Sequence, residues 1–124
     1  MNNPYSRYKE QTINTATKEE LTLMLYDGCI KFINIAILAV EEKDFQLANT
    51  NIIKAENIIS EFMLTLNMDI EISNNLYALY EYLNNRLIEA NIQKNKDILE
   101  EVKGFIIELR DTWKEAMKLS RMGK

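Results

Sequence analysis

Histidine is absent from this chain of 124 residues, cysteine and proline each occur once, and glycine occurs three times. The missing histidines remove Ser-His-Asp and Cys-His catalysis and zinc sites of the Cys/His type. They also remove the Glu-x-x-His ligand pairs of ferritin-like di-iron bundles. A lone cysteine, Cys29, forms no intrachain disulfide and fits a reducing compartment. With no histidine partner, and set in an apolar helical stretch, Cys29 reads as a small inert core residue rather than a nucleophile. So few chain breakers favour long helices with short connections.

Basic patches are equally scarce. The net charge is −4, and lysines and arginines are spread among carboxylates, with only a short basic tail from Lys118 to Lys124. Nucleic-acid binders carry a concentrated basic face, so no nucleic-acid partner is expected. The basic tail instead suits the end of a last helix, where the macrodipole favours cations. No uninterrupted apolar run approaches the roughly 18 residues of a membrane span. The opening MNNPYSRYKEQ lacks the apolar centre of a signal peptide. A cytoplasmic location without stable membrane insertion is the expectation.

What the chain does have is apolar content, 47%, arranged with helical periodicity. Residues 1–16 contain Pro4 and only three large apolar groups, Tyr5, Tyr8 and Ile13, and read as an arm. Thr17 with Glu20 forms a capping box for a first helix over about 17–42. One apolar row there runs Leu21, Leu25, Gly28, Phe32, Ile35, Ala39. A second runs Leu23, Tyr26, Ile30, Ile33, Ile37, Val40. Two rows exceed the width of a single helix–helix seam, so this helix is expected to be the most buried.

Asp44 caps a second helix, about 45–66, with its core row at Ala48, Ile52, Ala55, Ile59, Phe62 and Leu66. Ser73 is the expected cap of a third helix over about 72–92, with Asp69 as its earliest start. Its row is Leu76, Leu79, Leu83, Leu87, Ala90. Asp97 with Glu100 resembles another capping box, opening a fourth helix over about 97–119 through Ile98, Val102, Phe105, Leu109, Trp113 and Ala116. Gly28 and Gly104 mark places where another helix has room to approach. The expected architecture is all-α: an antiparallel up-down-up-down four-helix bundle with an N-terminal arm, one domain over 1–124. Each helix is about 20 residues, hence roughly 30 Å long.

No constellation for catalysis emerges. Glu19-Glu20, Glu41-Glu42 and Glu100-Glu101 are adjacent pairs whose side chains diverge on a helix, and they read as solvated faces and caps. Neither a cofactor nor a metal site is expected, and an enzyme is the remotest reading. Tyr77, Tyr80 and Tyr82 suit core packing or a protein-facing surface equally, since tyrosine pairs an apolar body with a polar tip. The helical asparagines Asn49, Asn51, Asn57, Asn84, Asn85 and Asn91 offer amides to the backbone of a bound chain, against the plainer readings of a solvated face or a compositional bias. Met24, Met63 and Met68 are candidates for an adaptable surface, although Met more often fills core gaps. The apolar excess of the first two helices must meet the arm, another subunit or a client. Helix-in-groove binding and a homodimer interface both satisfy it.

Specific motifs bear on that choice. Thr15-Ala16-Thr17 through Glu20-Leu21, followed by Leu23-Met24-Leu25-Tyr26-Asp27-Gly28, resembles the opening helix of the FliS family of flagellar secretion chaperones. Tyr5 and Tyr8 match that family's tyrosine-bearing arm. Ile52-x-Lys54-Ala55-x-x-Ile58-Ile59, Leu76-x-x-Leu79-Tyr80-x-Tyr82, Arg86-Leu87-x-x-Ala90-Asn91 and Trp113 follow in the family's order. Lys18 stands where the family often has proline, and Asp69-Ile70-Glu71 lacks the paired glycines common there.

The resemblance implies a non-enzymatic export chaperone. It would bind the disordered C-terminal segment of flagellin, prevent premature polymerisation and present it to the flagellar type III export apparatus. Export-gate components and other flagellar regulators are further partners it allows, as is a homodimer without client. The candidate groove comprises Asn51, Ile52, Ala55, Ile58, Tyr80 and Asn91, taken as outward positions of the second and third helices. Tyr5, Tyr8 and Ile13 are the candidate gate that covers it. The competing reading is a homo-oligomeric helical scaffold, or a chaperone for another helical client.

Overall fold

The computed structural model describes residues 15–122. Among the described residues four long helices follow one another: α1 (Lys18–Glu41), α2 (Phe45–Thr65), α3 (Glu71–Gln93) and α4 (Lys96–Met122). They form an antiparallel four-helix bundle in which α1 packs on α2 and α4, and α3 closes the ring between α2 and α4.

The caps explain most of the boundaries. Thr17 Oγ1 accepts the Glu20 N–H at 3.1 Å and its hydroxyl donates to Glu20 Oε1 at 3.2 Å. Asp44 Oδ1 accepts the Leu47 N–H at 3.2 Å. α1 ends in a Schellman turn: Asp44 N–H reaches the Ala39 carbonyl at 2.8 Å and Lys43 N–H the Val40 carbonyl at 3.1 Å. Lys43 itself is left-handed at φ 62°, a position where glycine is the usual occupant. Lys94, at the end of α3, is also left-handed at φ 52°.

Two expected starts differ. α3 begins at Glu71 after Ile70, with no side-chain cap, and Ser73 is buried within its first turn. α4 is capped by Asn95 rather than Asp97: Asn95 Oδ1 accepts the N–H groups of Asp97 at 2.9 Å and Ile98 at 3.3 Å. Asp97 sits in the first turn, where a carboxylate favours the helix dipole without being the cap. The link between α2 and α3 needs no glycine, because among the described residues only Lys43 and Lys94 have positive φ. Asn67 holds it instead, its side chain accepting from the Asp69 N–H at 3.1 Å and its carbonyl from the Ile70 N–H at 3.1 Å.

The core is built by Ile33 on α1, Ile52 and Ile59 on α2, Leu83 and Leu87 on α3, and Leu99, Val102 and Ile106 on α4, all fully buried. α1 contributes the most buried residues of the four helices. Its row through Tyr26, Ile30, Ile33 and Ile37 leads inward, while Leu25 and Phe32 pack half-buried beside it. The 24-residue α1 is long and apolar enough, by length and composition, to cross a membrane, although charged and polar residues interrupt its apolar run. Its apolarity is that of a helix buried on two sides, against α2 and α4. Gly104 faces open space, with nothing within 4 Å of an added Cβ, so it does not mark a close helix approach. Gly28 leaves ordinary contact distance, 3.6 Å, to Ile58 Cδ1.

Candidate functional site

At one end of the bundle, residues from all four helices line an open cleft of about 530 Å³. The start of α1 meets the end of α2, the start of α3 and the later half of α4 there. Leu21 and Leu25 supply the α1 wall, Leu66 the α2 wall, Ile72 and Leu76 the α3 wall, and Leu109 and Trp113 the α4 wall. Lys18, Glu19, Glu61 and Thr112 bring charge and polarity to the lining. Two hydroxyls of the lining turn away from the cleft chemistry: Thr22 Oγ1 bonds the Lys18 carbonyl at 3.1 Å, and Thr65 Oγ1 the Glu61 carbonyl at 3.1 Å.

The floor is aromatic. Tyr26 and Tyr80 are 5% and 3% exposed, and Phe62 lies between them with ring centroids at 4.6 and 5.5 Å. The two phenol oxygens are hydrogen-bonded at 2.9 Å. Burial pushes both phenols above the ordinary tyrosine range, so both remain protonated at neutral pH. The nearby thiol of Cys29, fully buried, is pushed up to about 12 by the same desolvation and is no nucleophile.

A second surface runs along the α2–α3 seam. Asn91 Nδ2 donates to Asn49 Oδ1 at 2.7 Å, and Asn84 Nδ2 to Ser60 Oγ at 3.0 Å. Ile53, Ile88 and Ile92 are exposed by 43%, 45% and 80%. Across α3 and α4, Arg86 pairs with Glu101 at 2.8 Å, while the Tyr82 hydroxyl donates to the other Glu101 oxygen at 2.7 Å. The Tyr82 bond, then Arg86, holds the Glu101 carboxyl below its usual range.

The six candidate groove residues do not make one patch. Ile52 and Ala55 are fully buried in the core, because the α2 row that carries them faces the bundle axis. Asn51 is buried, its Nδ2 donating to the Leu47 carbonyl of its own helix at 2.9 Å. These three are not outward positions. Ile58 is half-buried and faces Gly28 of α1. Tyr80 lies in the cleft floor, whereas Asn91 is half-buried near the opposite end of α3. Tyr5, Tyr8 and Ile13 lie outside the described residues. The cleft residues Leu66 and Ile72 were missed as site residues, since they flank the interhelical link. Leu25, Leu76, Leu109 and Trp113 stand in the apolar rows, and Leu25, Leu76 and Trp113 also in the family motifs, without the spacing marking them as a site.

The family model described as "Flagellar protein FliS" matches residues 1–120. The flagellar secretion chaperone FliS of Bacillus subtilis (strain 168) is 48% identical over 119 residues, covering 96% of this chain and 90% of that protein. Its counterpart in Escherichia coli (strain K12) is 32% identical over 112 residues, covering 87% and 82% respectively. A solved structure titled "Crystal structure of flagellar chaperone from bacteria" matches with a TM-score of 0.76 at 21% identity, covering 92% of this chain and 94% of that one, a likeness of fold.

Proposed function

The chain belongs to the FliS family of flagellar secretion chaperones, and on that premise we propose that it binds the disordered C-terminal segment of flagellin in the cytoplasm. By occupying that segment it prevents premature polymerisation and supports delivery to the flagellar type III export apparatus. The observation that carries this reading is the open, largely apolar cleft between the four helix ends. A disordered client loses conformational entropy on binding, so it needs a large apolar surface to offset that cost. The cleft offers one, and Leu64 and Met68, close in sequence to its Thr65 and Leu66, are exposed as well.

In this reading Tyr5, Tyr8 and Ile13 cover the cleft in the free protein and move aside for the client. The described chain starts at Thr15, and Lys18, three residues on, already lines the cleft. The arm is therefore tethered beside the surface it would cover. A cover of this kind lowers apparent client affinity by the fraction of time it is shut.

The test is seeded flagellin polymerisation followed by light scattering. Added in equal amount, the protein should stop growth; filament growth at the uninhibited rate would overturn the proposal. Exposed Phe45, Ile88 and Ile92 favour a second reading, self-association through the α2–α3 face, which sedimentation would reveal as a dimer.

A further inference from the structure

Among the described residues, the cleft floor carries one hydrogen-bond donor more than it uses. Tyr26 and Tyr80 share a single hydrogen bond at 2.9 Å, in which one hydroxyl donates and the other accepts. Two phenols carry two protons, and the pair consumes one. No acceptor for the second is given by the hydrogen bonds of the described residues. The apolar walls, Leu25, Leu66 and Leu76, offer no side-chain acceptor, and none of the oxygens that Glu19, Thr22, Glu61, Thr65 and Thr112 bring to the lining is bonded to either phenol. In the free cleft, water can take the spare proton. Under a dry, purely apolar cover it would be stranded and would cost its full desolvation.

We propose that the Tyr26–Tyr80 pair is a specificity element: the cleft selects a client segment that brings a free backbone carbonyl beside the apolar side chain it inserts. This rests on the reading of the cleft as the client site and adds what the client must present there. Carbonyls in the middle of a helix are already bonded to the N–H four residues on, whereas the last four of a helix are free. The cleft therefore takes the last turn of a client helix, or an extended stretch, in preference to a helix middle. Both phenols stay protonated across the neutral range, so the donor is always present.

The test is calorimetric titration of the whole chain with the flagellin C-terminal segment, comparing wild type, Tyr26→Phe, Tyr80→Phe and the double variant. The double variant, with no phenol donor, should bind about tenfold more weakly, and at least one single variant should stay within about threefold of wild type, because one hydroxyl is enough. Recognition by apolar burial alone makes the opposite demand, since two phenylalanines make a more apolar floor. Double-variant binding as tight as wild type, or tighter, overturns the proposal. Absence of saturable wild-type binding removes the client reading itself, a distinct result. Where the double variant lacks the helical circular-dichroism signal, proton NMR of the wild-type complex decides. Two phenolic protons at 26 and 80 protected from exchange support the proposal; a single one overturns it.

Discussion

The indole Nε1 of Trp113 donates to the backbone carbonyl of Glu19 at 3.0 Å, across 94 residues of sequence. One bond thus fastens the later part of α4 to the first turn of α1, and both residues line the cleft. The Arg110–Asp27 ion pair at 3.3 Å lies on the same two helices, but an exposed pair of that kind contributes little. Trp113→Phe keeps an aromatic ring and removes the donor. It should lower stability by about 1 kcal/mol, read as an earlier urea midpoint, and it should weaken client binding by loosening the α4 wall.

Ile72 separates binding from folding. It lines the cleft, is 62% exposed, and occupies the first turn of α3. An aspartate there suits the helix dipole and removes little buried surface. Ile72→Asp should keep the wild-type urea midpoint within about 0.5 kcal/mol while weakening flagellin binding by about tenfold or more. Wild-type affinity would show that the α3 wall makes no client contact. Ile58→Asp is less clean, because Ile58 packs against the core and its loss acts on folding as well.

Two glycine exchanges of opposite sense should both stabilise. Gly104 is exposed within α4 and an added Cβ meets nothing, so Gly104→Ala should gain about 1 kcal/mol from helix propensity. Lys43 is exposed and left-handed at φ 62°, so Lys43→Gly should gain up to about 1 kcal/mol by relieving a strained backbone. Thermal melts of the two variants check both signs.

Glu56 on α2 is half-buried, and desolvation raises its carboxyl above the ordinary value. The unfolded chain therefore releases this proton more readily than the folded one. Stability from this group is greatest below the ordinary glutamate pKa and falls as pH rises through the raised folded value. Glu56→Gln removes the penalty. Its urea midpoint should match wild type below about pH 4 and exceed it at pH 7; a midpoint lower than wild type at pH 7 would show a favourable role for the charge.

Deletion of residues 2–14 tests the arm. Removing a cover should strengthen flagellin binding or increase self-association, read by calorimetry and sedimentation. Unchanged values in both would mean that Tyr5, Tyr8 and Ile13 do not cover the cleft.

Helix existence and the α2 core row were legible because Ala48, Ile52, Ala55, Ile59 and Phe62 repeat at steps of four and three, and that spacing fixes one face of a helix. The same spacing did not say which way a wide face looks. Ile52 and Ala55, which stand both on that core row and among the candidate groove residues, belong to the core alone. The cleft was not legible, since it depends on how far α1 and α3 begin from the ends of α2 and α4. Its residues are distant in sequence and no local pattern joins Leu25, Ile72 and Trp113. The cap of α4 was misread for a related reason: Asp97 and Asn95 are both competent caps, and only the backbone path decides between them. The family motif from Leu23 to Gly28 was informative partly for a reason hidden in the sequence, because its Tyr26 meets Tyr80 in the cleft floor.

Client binding itself is settled by one isothermal titration of the whole chain with the flagellin C-terminal segment, repeated at several temperatures. Binding through the apolar cleft requires a saturable isotherm with a negative heat-capacity change, the mark of buried apolar surface, and its weakening in Ile72→Asp. A flat isotherm at every temperature, with client added well beyond micromolar concentration, would contradict it.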